Sequence, residues 1–444
     1  MKCHLLPLVL LLAPFAGGAQ NTLHTFTKIQ LTDKFWSEGA HFGDFNHDGK
    51  MDIVSGPYWY EGPDFKIRHE YFPATQSFVA TNANGEVSTN AGFEGALGVR
   101  NSYSEAFLAF TDDINGDGWT DIVIIGFPGK ATYWYENPHN KEGHWPRQTM
   151  IDVTDDESPA FGDLFKNGKP VLICCQHGYL GYADRDAKEP TNLWTFHPVS
   201  PKMDKEFQKF THGLGYGDVN GDGRNDLIVK DGWYEQPASL EGDPLWKFHP
   251  FPFAPRGSSQ MFAYDVNGDG LPDVITSLNP HGYGLAWYEQ LPQKGTNGEI
   301  QFKQHLIMKP ENRPNEYGVT FSQTHSIALA DIDGDGLMDI VTGKRFWAHG
   351  KNGPDPGSND PAVLYWFKLV RGPKHTASFV PYLIDADSGV GTEVVVGDVN
   401  GDGLPDIVVG NKKGTFVFLQ NVKTVSKEEW KAAQPKRMTA QEAK

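Results

Sequence analysis

Cysteine is almost missing, with three in 444 residues. Cys3 stands ahead of an N-terminal apolar run that reads as a cleaved leader, which leaves Cys174 and Cys175. Two cysteines cannot build a disulfide framework, so other contacts must hold the fold. Neighbours in a strand point to opposite faces; a strained vicinal bridge and a pair of inert buried thiols are the two readings open. Basic runs are missing as well. Lys and Arg number 39 against 56 Asp and Glu, a formal charge of −17, which excludes a phosphate-tracking nucleic-acid surface. Apart from the leader, no apolar stretch approaches the roughly 20 residues that span a bilayer, so membrane insertion is not expected. No nucleophile elbow, phosphate loop or dinucleotide fingerprint is present. Hydrolase, kinase and Rossmann-type chemistry therefore drop out.

The first residues carry an export signal: Lys2, an apolar run from Leu5 to Phe15, then Ala16-Gly17-Gly18-Ala19 as a small-residue cleavage site. Cleavage after Ala19 predicts a mature chain from Gln20 that is secreted or periplasmic.

Glycine (49) and proline (30) are plentiful, as suits short strands joined by many turns. One phrase recurs, an apolar strand, an Asp/Asn/Gly loop and a β-branched strand: GDFNHDGKMDIV from Gly43, DINGDGWTDIV from Asp113, GDVNGDGRNDLIV from Gly217, DVNGDGLPDVI from Asp265, DIDGDGLMDIV from Asp331 and GDVNGDGLPDIVV from Gly397. A worn copy, GDLFKNGKPVLI, begins at Gly162. The spacing, roughly 47 to 69 residues, predicts a seven-bladed β-propeller of four-stranded blades over residues 20–422, with a polar tail at 423–444. A second phrase (YWYE at 58–61 and 133–136, WYEQ at 233–236 and 287–290, YWFK at 365–368) gives a third strand, its aromatics wedged between blades. A third phrase (FKIRHEYF at 65–72, LWTFHPV at 193–199, LWKFHPF at 245–251, FKQHLI at 302–307, FVPYLI at 379–384) gives the outer strand and is missing from the last blade. HTFTKIQL at residues 24–31 matches it, so the N-terminal strand is expected to complete that blade and close the ring.

Each intact loop sets side-chain oxygens at alternate positions around a glycine turn. That is the ligand spacing of a calcium loop, shortened to nine residues and closed by Asp. The ligand sets are Asp44, Asn46, Asp48 and Asp52; Asp113, Asn115, Asp117 and Asp121; Asp218, Asn220, Asp222 and Asp226; Asp265, Asn267, Asp269 and Asp273; Asp331, Asp333, Asp335 and Asp339; Asp398, Asn400, Asp402 and Asp406. Oxygen ligands without His or Cys favour Ca²⁺, up to six structural ions, which would bring the charge from −17 to roughly −5. Phe165 and Val171 replace ligands in the worn copy, and no ion is expected there.

These residues and their spacing resemble the FG-GAP/VCBS repeat family, whose propellers include the integrin α head. The resemblance spans essentially the whole mature chain. It implies structural calcium on one face and ligand recognition on the other. More loosely, GKRFWAHGKNGPDPGSNDPAVLYWF (343–367) with the WYE phrases looks like the propeller part of fungal aldos-2-ulose dehydratase and related secreted bacterial proteins, which implies elimination of water from keto-sugars. The chain has no room for that enzyme's cupin domains, and none of its catalytic positions is carried over.

Topology puts the starts of the inner strands, and the long insertions, on the face away from calcium. Polar residues stand there: Ser37-Glu38, Ser104-Glu105, Asp156-Glu157, Thr211-His212, Ser258-Ser259, Thr324-His325 and Gly391-Thr392. Glu38, Glu105, His212, His325 and Arg345 are the candidate catalytic residues. His177, His281, Trp347 and His349, from second-strand ends, are candidate ligand contacts. Proton abstraction beside a carbonyl, and transition-metal binding by His212 and His325 with Glu38, are both open to this set. Two functions follow. One is a lyase, a dehydratase acting by β-elimination on an oxidised sugar; the other is a non-catalytic module that recognises a polysaccharide or an extracellular protein.

Overall fold

The computed structural model describes residues 21–74, 77–81, 84–91, 103–350 and 353–439; the leader expected at 1–19 lies outside them. Among the described residues the regular structure is strand, apart from one helix, Lys427–Ala433. That helix carries its own start signal, a capping box in which Ser426 and Glu429 satisfy each other's backbone N–H groups.

Every Asp loop joins a short strand to a buried one running back beside it. His41–Gly43 pairs with Asp52–Ser55, Leu108–Asp112 with Asp121–Ile125, and Ile327–Ala330 with Asp339–Gly343. The aromatic phrase supplies the next strand, as in Tyr58–Tyr60 and Leu285–Leu291, and the outer phrase the fourth. Among the described residues, pairing between strands is antiparallel with one exception. Leu214–Gly217 lies parallel to Gln260–Tyr264, so two units share one eight-stranded sheet through their first strands. Elsewhere the 16-residue strand Arg147–Gly162 is the outer strand of one unit and the first strand of the next. First strands neighbour first strands: His41–Gly43 lies beside Leu108–Asp112, Arg147–Gly162 beside Leu214–Gly217, and Ile327–Ala330 beside Val394–Gly397. Thr22–Thr32, the first strand of the chain, pairs with the last, Gly414–Thr424. That last strand runs past residue 422, where the sequence reading ended the domain.

Carboxylates lock each loop to its unit. Asp52, Asp121, Asp226, Asp273, Asp339 and Asp406 are fully buried, and each accepts at least two backbone N–H groups. Asp273 takes those of Val266 (2.9 Å) and Gln290 (2.8 Å), tying the loop to the end of the third strand. Side chains then stitch one unit to its neighbour. Asn137 Nδ2 donates to the Phe45 carbonyl (2.9 Å), Gln290 Nε2 to Val219 (2.9 Å) and Gln420 Nε2 to Ile332 (2.8 Å). Asn225 and Arg371 make the same link from other positions, to Leu164 and Val266. A buried carbonyl without a donor is destabilising, so these contacts fix the angle between units.

The tryptophans of the third strands are packing groups. Trp134, Trp233 and Trp287 are buried, and fourth-strand histidines stack on them or their counterparts: His69 on Trp59 at 4.0 Å, His249 on Trp233 at 4.0 Å and His305 on Trp287 at 4.2 Å. Each of these histidines also bonds the glutamate that follows its aromatic phrase, Glu61, Glu235 and Glu289. Cys174 and Cys175 are buried and unbonded, and burial pushes both thiols well above their ordinary range.

Gln290→Ala strands the Val219 and Pro272 carbonyls that its amide now serves. Urea unfolding in excess chelator should show a loss of about 1–3 kcal/mol, independent of any bound ion. An unchanged midpoint would remove this link from the account.

Candidate active site

The starts of the first strands are polar and buried. Ser37, Glu38, Ser104, Asp156, Ser258, Ser259, Thr324, His325 and Thr392 each expose 3% or less. Backbone bonds set Glu38 between two units: its N–H donates to Ala106 (3.0 Å), and its carbonyl accepts from the Thr392 N–H (2.8 Å).

Arg345 is the hub of this region and is 1% exposed. Its Nη2 lies 2.9 Å from Glu38 Oε2, its Nε donates to the same oxygen at 3.1 Å, and Nη1 lies 3.7 Å from Glu157 Oε2. Burial would lower its pKa, but Glu38 and Glu157 outweigh this and raise it. Lys412 Nζ sits 3.4 Å from Glu38 Oε1 and donates to the Trp347 carbonyl at 2.8 Å. Burial draws that ammonium down to about 8, against the pull of Glu38. Burial likewise brings Lys344 to about 8; its Nζ donates to Ser322 Oγ at 3.1 Å. Glu157 goes the other way: despite burial, His212, Arg345 and His281 hold it at about 2.

Beside this ionic group the imidazoles converge. His212, His281 and His325 bring ring nitrogens within 4.8 Å of one another, and their rings lie 4.5 to 5.3 Å apart. His212 Nδ1 donates to the Phe210 carbonyl at 2.9 Å, and its Nε2 faces inward, 3.3 Å from Glu157. That Nε2, Nδ1 of His281 and both ring nitrogens of His325 are buried without a hydrogen-bond partner. Burial comes first in holding His325 well below its ordinary value, followed by the charge of Arg345. His281 is brought to about 3 by burial and then by its cationic neighbours. Buried ring nitrogens that converge without hydrogen-bond partners are what a divalent transition ion binds, and the donor set fits one. His349 stacks on His281 at 4.5 Å, and its Nδ1 lies 3.0 Å from both oxygens of Asp355. Its side chain is 39% exposed, the open member of the group.

Glu38, His212, His325, Arg345, His281 and His349 are therefore brought together. Glu105 is not. Ser104 is buried, but Glu105 stands at a bend and is exposed, and its charge acts on Tyr71 and Tyr135. His177 stands on a hairpin turn, 59% exposed and 3.8 Å from Asp152, away from the cluster. Trp347 gives the site a carbonyl, for Lys412, while its indole N–H donates to Asn359. Glu157 stood among the polar strand starts without a role, and Asp355, in the 348–361 insertion, had no signal beyond that loop's length.

At the other end of the strands, Asp331, Asp333 and Asp339 offer carboxylate oxygens within 4.8 Å of one another. The Lys368 ammonium pairs with Asp333 and with Asp335 (2.8 Å). In the remaining intact loops the first Asp accepts the loop's own N–H groups, as Asp218 does from Gly221, Asp222 and Gly223. The last Asp has both oxygens on backbone amides, so any ion it binds uses the lone pairs that are left. In the worn copy Val171 fills that position and is buried.

Glu38→Gln leaves two buried cations with less counter-charge and should cost about 3–5 kcal/mol in chemical unfolding. His212→Ala should change stability by less than about 1 kcal/mol. Equal losses in the two variants would contradict the division between ionic hub and open cluster.

No curated protein matches the chain. Among solved structures it is similar to a lectin of Agrocybe aegerita that recognises non-reducing terminal N-acetylglucosamine, with 16% identity over 91% of this chain and 87% of that one, at a TM-score of 0.40. Rhamnogalacturonan lyase YesW aligns at 12% identity over 90% and 72% of the two chains, with a TM-score of 0.38. The fucose-specific lectin of Aleuria aurantia aligns at 12% over 82% and 100%, with a TM-score of 0.34. The FG-GAP-like repeat family matches residues 113–174 and 265–342, and the FG-GAP repeat family matches residues 390–421. The units within these residues are FG-GAP-like repeats.

Proposed function

We propose that the protein is an exported lyase that eliminates water from an oxidised sugar at the histidine cluster. In this reading the units are the seven blades of a propeller closed by Thr22–Thr32. Calcium ions in the Asp loops hold one face, and the cluster opens on the other. The observation that carries it is the convergence of His212, His281 and His325 beside an open His349–Asp355 pair.

The three imidazoles would hold a divalent transition ion. Such an ion, when bound, supplies Lewis acidity to a carbonyl or hydroxyl oxygen. The rest falls to the chain. Asp355 accepts the His349 Nδ1–H bond and orients the ring, which leaves Nε2 to take the proton from the carbon beside the carbonyl. The electron pair left on that carbon forms the C=C bond as the β C–O bond breaks. His349 returns the proton to the departing hydroxyl, so the products are enone and water. Arg345 and Glu38 act as positioning residues, since neither is exposed enough to meet substrate.

Incubation with 2-keto and 3-keto sugars should release an ultraviolet-absorbing enone. His349→Ala should slow release by about 100-fold or more with melting unchanged. Retention on a polysaccharide column with no enone from any keto-sugar would transfer the reading to a binding module. A calcium-selective chelator should lower the melting temperature if the Asp loops carry ions, and an unmoved transition would count against them.

A further inference from the structure

A cavity of about 320 Å³ shares His212 with the cluster. Two segments wall it, and both are held by their own backbone. The segment 205–212 is closed by Phe207 N–H on the Met203 carbonyl and by Thr211 Oγ1 on the Glu206 carbonyl. The turn carrying Arg256 is pinned by Gly257 N–H on Ala254 and by Ala254 N–H on Lys230. Gly257 has φ +91 and permits this turn.

The lining is cationic in a chain that is strongly acidic overall. Lys230 is paired with Asp231, but Lys205 and Arg256 make no ion pair among the described residues. Glu206 is the remaining acid of the wall, so cations outnumber carboxylates by three to two. Phe210 also lines the cavity and is 42% exposed. Phe127 meets its ring edge-on at 5.8 Å, and Lys209 lies over it at 4.7 Å, so the ring is held in place despite its exposure. An aromatic face held at a lip, next to cations without ion pairs and beside His212 of the cluster, has the chemistry that a sugar ring and an acidic group require.

We infer that this cavity is a subsite for a carboxylate-bearing sugar unit, a uronate linked to the unit that reacts at the histidines. Phe210 stacks on the apolar face of the ring, and Arg256 and Lys205 take the carboxylate. The inference rests on the sugar-directed reading above and narrows its substrate class to acidic oligosaccharides.

The test uses the intact protein with trigalacturonate and with the same trisaccharide after reduction of its carboxylates, which changes the charge and keeps the stereochemistry. Calorimetry at low salt should show the acid binding tighter by about tenfold or more. Added salt should erode that gap. Arg256→Gln should remove most of it without weakening the reduced sugar more than about twofold, whereas Phe210→Ala should weaken both. Equal affinity for the two trisaccharides, or a gap that survives Arg256→Gln, overturns the subsite and leaves the lyase reading standing. Binding of neither sugar overturns the sugar-directed reading and this inference together.

Discussion

A guanidinium withdrawn from water must be met by carboxylates, and Arg345 is met by two. Glu38 comes from the start of the chain, 307 residues away, and Glu157 from the long strand between. Neither contact survives unless the starts of distant strands are held at one place. The fold does this by repetition. Each intact Asp loop is locked by a buried carboxylate, and side-chain donors tie most units to a neighbouring loop. Strand directions are thereby set at one end, so polar residues meet at the other. Breaking one partner of such a group is more costly than its net worth, because the remaining charges stay buried.

The charge balance of the site follows from the same constraint. Arg345, Lys412 and Lys344 stand against Glu38, Glu157 and Asp355, and the buried histidines packed on the guanidinium stay neutral. Neutral imidazoles keep their lone pairs. His212 has one nitrogen committed to a carbonyl and the other turned inward beside Glu157. His349, by contrast, reaches the open side and is steadied by Asp355. One group of imidazoles thus contains members suited to holding and a member suited to proton transfer.

Much of this was legible because a repeat announces itself. The Asp loops, the aromatic third strands and the N-terminal strand beside the last unit could be read from recurring phrases, and counting back from each loop gave the polar strand starts. Glu38, His212 and His325 came from that count, and Arg345 from the ends of the returning strands. What the pattern could not give was side-chain direction where an insertion shifts the register. In Ser104-Glu105 the serine turns inward, and the second carboxylate beside Arg345 is Glu157 instead. Asp355 belongs to an insertion without counterpart in other units, so no repeat pointed to it. The Asn137, Gln290 and Gln420 links were hidden for a different reason, since their partners are main-chain carbonyls, which leave no mark on the sequence.

The central claim is that the converging histidines hold a metal ion. Metal analysis of protein purified without chelators, with X-ray absorption at the edge of the metal found, addresses it directly. The account predicts one divalent transition ion per chain with imidazole nitrogens in its first coordination sphere, lost in a His325→Ala variant that still folds. Protein that carries no such ion after incubation with zinc, or a variant that retains it, would contradict the account.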